Sequence, residues 1–194
     1  MEPFVQLKGI AAPLPKVNVD TDAIIAVQHV YTLSKAGLGK YLFHRWRYAQ
    51  DGSEVSEFVL NRQPFRQASI FVARANFGCG SSREHAVWAI RDFGFRVLIS
   101  TSFADIFKEN SLKNGVLTIE VDAPTHGCLV ETFQKSPETE MTVDLREQTL
   151  EFGGVRTQFQ VNSFSRTCLL EGLDELGYIL RQEALIAAFE KARR

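Results

Sequence analysis

The chain has 194 residues, of which 45% are hydrophobic and 23% charged, and its formal net charge is −1 at pH 7. This length and apolar content predict a single domain over residues 1–194, and the neutral balance excludes a positive field for nucleic acid. No apolar run would span a membrane, and Cys79, Cys128 and Cys168 have neither disulfide nor metal-ligand spacing, so we expect a cytoplasmic protein.

The N-terminal part of the chain is predicted to be extended. Apolar residues at 4–7 favour a strand, and two prolines within 11–15 forbid a helix there. Asp20, Thr21 and Asp22 then form a turn-like segment before an apolar pair. Carboxylates there are typical of an Asx turn or a helix cap, but Asp22 would also suit pairing with an arginine or orienting an acid. A divalent metal is a third option, and too few oxygen ligands cluster to favour it.

Two segments follow whose function is open on the residues alone. Residues 26–39 are a polar and apolar mixture that ends in two glycines, and they are predicted to be a mobile loop. Residues 41–48 are aromatic and basic. Such a patch could stack on nucleic-acid bases, but in a neutral chain a packed helix end or a protein interface is the simpler interpretation.

The central motif of the chain is the glycine-rich segment at 76–86. It follows an apolar run at 69–74 that is typical of a buried strand. It precedes residues 86–93, where apolar side chains recur at helical spacing, and Gly94 stands where a C-terminal cap is expected. With a second strand at 95–100, the pattern predicts a parallel βαβ unit whose ligand site lies at the carboxyl ends of the strands.

The rest of the chain completes an α/β fold with a small antiparallel hairpin layer. Three segments are predicted to be a short helix, a polar turn and a strand: 102–107, 110–115 and 116–121. Three later segments alternate at period two: 141–145, 148–152 and 155–161. Gly153 and Gly154 join the last two as a tight hairpin, and helices at about 168–193 close the chain.

The central motif has the features of an anion site. Gly78 and Gly80 permit positive φ angles and a close approach of backbone to ligand. The N-terminus of the following helix favours negative charge, and Arg83 offers a planar fork for a carboxylate or phosphate. Ser81 and Ser82 add two hydroxyl groups beside it.

Each reactive side chain in the motif also has a simpler interpretation. Ser81 and Glu84 have the spacing of a capping box, which would occupy the serine hydroxyl in hydrogen bonding. The spacing of a nucleophile elbow is absent. Cys79 and His85 could act as nucleophile and base, but a packed thiol and a hydrogen-bonded helix residue are simpler. Arg83 opposes the helix dipole, which indicates either a site or a salt bridge.

These residues carry a family resemblance. The segments at 76–86, 103–107 and 18–25 closely resemble motifs of the small subunit of 3-isopropylmalate dehydratase, the counterpart of the swivelling last domain of aconitase. The resemblance runs from about residue 4 to about residue 190 and includes 168–174. It implies a swivelling β/β/α domain.

The resemblance also implies a function and roles for residues. The reaction would be the isomerisation of 2-isopropylmalate and 3-isopropylmalate by dehydration and rehydration, in leucine biosynthesis. The site would be shared with a large subunit that carries a [4Fe-4S] cluster, and this chain would hold no cofactor itself. Ser81 would be the base, Asp22 would support the acid–base network, and Arg83 would bind a carboxylate of a small dicarboxylate substrate. Ser82, Gln28 and Lys35 would be further substrate contacts.

The loop after Ile25 departs from the family pattern. Relatives commonly continue with proline and then lysine-glutamine-phenylalanine-leucine, whereas residues 26–30 read Ala-Val-Gln-His-Val, and Lys35 stands where arginine is common. Because this loop contacts the variable side chain of the substrate in the family, a citraconate, alkylmalate or homoaconitate-type substrate stays open. A non-catalytic anion-binding module that kept the fold is the alternative from another class.

Overall fold

The computed structural model describes residues 1–31 and 33–193, so that Thr32, within the predicted loop, and Arg194 lie outside the described residues. The strands are β1 (Gln6–Pro13), β2 (Ile70–Val72), β3 (Val97–Ser100), β4 (Leu117–Glu120), β5 (Glu140–Asp144), β6 (Thr149–Phe152) and β7 (Val155–Gln158). They form one seven-stranded sheet in the order β4-β3-β2-β1-β5-β6-β7.

Helices connect and cover these strands. They are α1 (Thr21–Ile24), α2 (His44–Arg47), α3 (Glu84–Phe93), α4 (Asp105–Lys113), α5 (Ala123–Lys135), α6 (Ser163–Glu171), α7 (Glu175–Leu180) and α8 (Glu183–Ala192). Among the described residues of the segment at 25–69, four short 3₁₀ turns accompany α2, and the remainder is irregular. None of the described helices is long and apolar enough to cross a membrane.

The sheet joins a parallel half to an antiparallel half through β1. Strands β1, β2, β3 and β4 pair in parallel, which confirms the predicted βαβ unit β2–α3–β3. Strand β1 also pairs antiparallel with β5, and β5, β6 and β7 continue as hairpins. The antiparallel strands are therefore part of the main sheet rather than a separate layer. Gly153 and Gly154 both have positive φ, as the predicted tight hairpin requires.

The core lies on both faces of the sheet, because successive side chains of a strand point to opposite sides. In β2, Ile70 and Val72 pack in one cluster with α5, and Phe71 packs in the other with α3. All three side chains are at most 1% exposed. A strand buried on both faces reads as a continuous apolar run, which is the pattern seen in the sequence.

Several predicted boundaries were wrong. The helix predicted at 102–107 begins only at Asp105. Strand β1 begins at Gln6 and continues through Pro13, because it has two partners, β5 and then β2. Helix α4 extends to Lys113 over the predicted turn at 110–115, and only Asn114 and Gly115 end it. The C-terminal helices begin at Ser163, before the predicted 168, because the Asn162 side chain accepts a hydrogen bond from the N–H of Ser165 and caps α6.

The last two helices leave a large apolar surface exposed. Leu176, Ile179 and Leu180 on α7 and Leu185 and Phe189 on α8 are each more than half exposed. Single exposed apolar residues are normal on a protein surface, whereas these five lie on two successive helices at the end of the described chain.

Candidate active site

Three loop segments meet at the carboxyl ends of the parallel strands. They follow β1, β2 and β3, and they pair with each other like short extensions of the sheet. Asp20 lies opposite Cys79, and Phe77 lies opposite Phe103, both in parallel bridges. The Gly78 N–H donates to the Val19 carbonyl at 2.7 Å. The sheet topology therefore places the glycine motif at the centre of this edge, as the βαβ pattern predicts.

Gly78 is required by its surroundings as well as by its backbone. Its φ is +78°, a region that residues with a side chain rarely adopt. A Cβ atom at this position would lie 2.1 Å from Cγ of Phe107, whose ring is 3% exposed. The motif can thus pass directly over α4, and this close approach forms the floor of a cavity.

The cavity has a volume of about 210 Å³ and is lined by polar groups from three segments. Its walls include the three consecutive residues Ser81, Ser82 and Arg83, with Thr21 from α1. Helix α4 contributes Asp105, Ile106, Phe107 and Asn110. Both serines are exposed to solvent, whereas Thr21 is 1% exposed.

The hydroxyl of Ser81 contacts Thr21 and does not cap a helix. The Oγ atoms of the two residues are 3.2 Å apart, and the Thr21 hydroxyl donates to the carbonyl of Ser81 at 2.8 Å. Helix α3 begins only at Glu84, and its N-cap residue is Arg83, without a side-chain cap. The predicted capping box was therefore wrong, because the helix starts too late in the chain for Ser81 to reach its first turn.

Arg83, which lines the cavity, forms an ion pair with Asp22. The Arg83 side chain is 21% exposed and that of Asp22 is 48% exposed. The capping interpretation of the acidic segment holds for its neighbour Asp20, whose carboxylate accepts the N–H of Ala23 at 2.7 Å. The two predicted uses of these aspartates are thus divided between two residues.

A hydrogen-bonded cluster that the sequence analysis missed lies behind the motif. The Glu84 carboxylate accepts from Asn114 Nδ2 at 2.7 Å and from Trp88 Nε1 at 3.3 Å. The Asn114 amide is the main reason that the pKa of Glu84 lies below its ordinary value. Asn114 is 3% exposed and stands 30 residues from Glu84 in the chain, so no local pattern indicates the pairing.

Gln28 and Lys35 do not line the cavity. Gln28 is exposed, and its side-chain amide lies 3.4 Å from the imidazole of His29. Lys35 donates to Asn114 Oδ1 at 3.0 Å, and its ammonium group lies 5.1 Å from the centre of the Trp88 ring. The loop is therefore docked on the Glu84 cluster, and only Ser81, Ser82, Arg83 and Asp22 of the predicted site residues come together.

His85 and Cys79, the other reactive side chains of the motif, contact residues of the fold. The His85 ring packs against Trp88 with 4.4 Å between centroids, and Cys79 lies in the bridge to Asp20. Within residues 1–31 and 33–193, no group of three or more His, Cys, Asp or Glu side chains could hold a metal ion.

The aromatic and basic segment at 41–48 is packed against the core. Trp46 stacks on Phe43 with 5.4 Å between ring centroids, and Arg47 is 6% exposed and donates to Asn61 Oδ1 at 3.1 Å. This arrangement agrees with the packed-helix interpretation of the segment rather than with a stacking platform for bases.

Comparisons with known proteins identify the family to which the chain belongs. The family described as "Aconitase C-terminal domain" matches residues 1–124. A "3-isopropylmalate dehydratase small subunit" of Cereibacter sphaeroides is 51% identical over 98% of this chain and 96% of its own. One of Brevibacillus brevis is 45% identical over the full length of both chains. The crystal structure of a 3-isopropylmalate dehydratase from Methanocaldococcus jannaschii superposes on this chain with a TM-score of 0.66. The superposition covers 95% of this chain and 99% of the other at 24% sequence identity, so the two chains share a fold. The chain belongs to the small-subunit family of the hydro-lyase 3-isopropylmalate dehydratase.

Proposed function

We propose that this chain, with a large subunit, isomerises 2-isopropylmalate and 3-isopropylmalate through isopropylmaleate, as a step of leucine biosynthesis. One observation carries the proposal. Ser81 and Arg83 line the same cavity, in a chain that is 51% identical to a subunit of that name. Removal of a weakly acidic proton from a carbon of the substrate requires a base, and binding of a dicarboxylate requires a positively charged group.

Ser81 is the residue we assign as the base. In the dehydration, its Oγ, as an alkoxide, takes a proton from one carbon of the substrate while hydroxide leaves the adjacent carbon and the alkene forms. In the rehydration, the proton and the hydroxide return to exchanged carbons. A serine hydroxyl is a very weak acid, so the alkoxide needs nearby positive charge and donors. Arg83 lines the same cavity and provides such a charge.

Arg83 and Asp22 are assigned to substrate binding and to support of the base. The guanidinium group has five N–H donors, and the pair with Asp22 leaves donors for a substrate carboxylate. Asp22 holds the fork in place and takes part in the acid–base network. Ser82 is exposed in the same cavity and provides a further hydroxyl for the substrate.

The partner supplies the rest of the active site. We assign a [4Fe-4S] cluster to the large subunit, where it would act as a Lewis acid toward the leaving hydroxyl. The three cysteines described here are free and separate from one another in the fold, on α5, on α6 and in the glycine motif. The exposed apolar side chains of α7 and α8 support a protein that works with a partner. Free thiols fit a reducing cytoplasm, where we place the complex.

The substrate's variable side chain is the part of the proposal that rests on the loop at 26–39. Gln28 and Lys35 can contact it only if the loop leaves the Glu84 cluster. Because Lys35 is held by Asn114 and the loop sequence departs from the family pattern, a related citraconate, alkylmalate or homoaconitate-type acid is the second candidate substrate.

The proposal is tested by reconstitution. The chain is mixed with its cluster-bearing large subunit without oxygen, and alkene absorbance is followed with isopropylmalate, citramalate and a homocitrate-type acid. We expect activity only with both chains and a preference for isopropylmalate. Ser81→Ala is expected to lower kcat by about 10⁴-fold, and Ser56→Ala, an exposed serine beside Glu57, to leave it unchanged. A preference for another acid would revise the assigned substrate and keep the assigned type of reaction. No activity with any acid, in an assembled complex, would contradict the proposed reaction and favour the alternative of a non-catalytic anion-binding module.

A further inference from the structure

Thr21 is a buried residue whose hydroxyl is directed at Ser81. It is the first residue of α1 and is 1% exposed. Its N–H donates to the Cys79 carbonyl at 3.0 Å, and its carbonyl accepts the N–H of Ile25 at 3.0 Å. Threonine is β-branched and therefore stiff about χ1. The Thr21 side chain is thus fixed to the glycine turn from which Ser81 projects.

The hydroxyl makes two contacts with the same residue. Its oxygen lies 2.8 Å from the Ser81 carbonyl oxygen and 3.2 Å from Ser81 Oγ. A threonine hydroxyl has one donor and two acceptor lone pairs. While Ser81 is neutral, Thr21 donates to the carbonyl and accepts the serine hydrogen. When Ser81 is an alkoxide, its Oγ can only accept, and rotation about the Cβ–Oγ1 bond turns the Thr21 hydrogen toward it.

We propose that Thr21 is a positioning residue for the reaction: it orients the Ser81 hydroxyl while neutral and stabilises the oxygen with a hydrogen bond once it has lost its proton. This role rests on the proposed function of Ser81 as the base. No proton leaves Thr21 in the cycle. A hydrogen bond to an ionised oxygen is about twice as strong as a neutral one, so the contact favours the form of Ser81 that takes the substrate proton.

The test compares side chains at position 21 in the reconstituted complex. Thr21→Val keeps the shape and removes the hydroxyl, and we expect it to lower kcat by about 10²-fold while KM changes less than about threefold. The acid limb of the kcat–pH profile is expected to move to higher pH, because Ser81 loses a donor that favours its ionised form. Thr21→Ser keeps the hydroxyl and should retain kcat within about fivefold and the wild-type pH profile.

The matched control is Thr118→Val. Thr118 is a buried threonine of β4 that is 3% exposed, and its Oγ1 has no hydrogen-bond partner among the described residues. Its replacement should leave kcat and the pH profile unchanged. A Thr21→Val complex with wild-type kcat and profile would overturn the proposal. If that variant does not assemble, Thr21→Ala against Thr21→Ser makes the same comparison. Failure of both hydroxyl-free variants to fold, beside a normal Thr21→Ser, would assign the hydroxyl to folding and equally overturn it.

Ser81→Ala in the same assay separates this inference from the function on which it rests. If Ser81→Ala is inactive and Thr21→Val is fully active, only the role of Thr21 is wrong. If Ser81→Ala retains full activity, the assignment of the base is wrong, and the role of Thr21 is withdrawn with it.

Discussion

The guanidinium of Arg83 and the carboxylate of Asp22 form an ion pair although 61 positions separate them in the chain. Both side chains are partly exposed, at 21% and 48%, so solvent screens the pair and its contribution to stability is small. What the pair fixes is the direction of the guanidinium of a residue that lines the same cavity as Ser81. It is a feature of the site more than of the fold.

Arg83→Lys is therefore expected to impair binding and not folding. The ammonium group keeps the charge but cannot present two parallel N–H donors to a carboxylate, so we expect kcat/KM of the reconstituted complex to fall by about 10²-fold, mainly through KM. Steady-state kinetics would measure this. Arg66→Lys is the matched control, because Arg66 also pairs with a carboxylate, that of Glu54, and neither residue lines the cavity. Equal kinetics for both variants and the wild type would remove Arg83 from the site.

Gly78→Ala is expected to destabilise the protein by about 2–4 kcal/mol, from a positive φ combined with a clash in the core. The new Cβ would meet the buried Phe107 ring at 2.1 Å. Gly154→Ala separates the two causes, because Gly154 has a φ of +81° and nothing within 4 Å of its Cβ position. Denaturant unfolding should show a loss of only about 1 kcal/mol at Gly154. Equal losses at the two positions would mean that Phe107 moves aside freely.

The sequence predicted those parts of the fold that depend on local pattern. The unit β2–α3–β3 is marked by two continuous apolar runs and by Gly94, and the hairpin by Gly153 and Gly154, so both were found. The capping box at Ser81 was wrong because α3 begins only at Glu84, and the Ser81 hydroxyl contacts a distant group, the hydroxyl of Thr21. The start of α6 was missed although its local signal, Asn162 as a cap, is present in the sequence.

The site was predictable in its composition and not in its connections. Arg83 was expected to meet either a ligand or a carboxylate, and the structure pairs it with Asp22. The cluster of Glu84, Asn114 and Lys35 joins three segments far apart in the chain. Such contacts depend on how the loop and α4 pack on α3, which periodicity does not encode. The roles of these residues in the reaction stay predictions.

Thr118→Val is expected to stabilise the protein by about 1–2 kcal/mol. The Thr118 Oγ1 is buried without a partner among the described residues, and a buried hydroxyl that makes no hydrogen bond costs about that amount. Valine has the same shape and suits a strand. Thermal or denaturant unfolding would measure the gain. A loss of stability would indicate that the hydroxyl has a hydrogen-bond partner in solution.

Glu84→Gln is expected to lower stability in a pH-dependent way. The pKa of Glu84 is depressed below its ordinary value of 4.5, chiefly by the hydrogen bond from Asn114 and then by that from Trp88. A carboxyl group whose pKa is lower in the folded than in the unfolded protein binds fewer protons when folded, so its contribution is complete above about pH 5 and is lost as the pH falls through the folded-state pKa. The difference in unfolding free energy between the wild type and Glu84→Gln should therefore be constant near neutrality and shrink under acid conditions. Urea unfolding at a series of pH values measures it, with Glu190→Gln on α8 as the control for the loss of one surface charge. A difference that stays constant down to strongly acidic pH would mean that the ionised carboxylate of Glu84 is not what Asn114 and Trp88 stabilise.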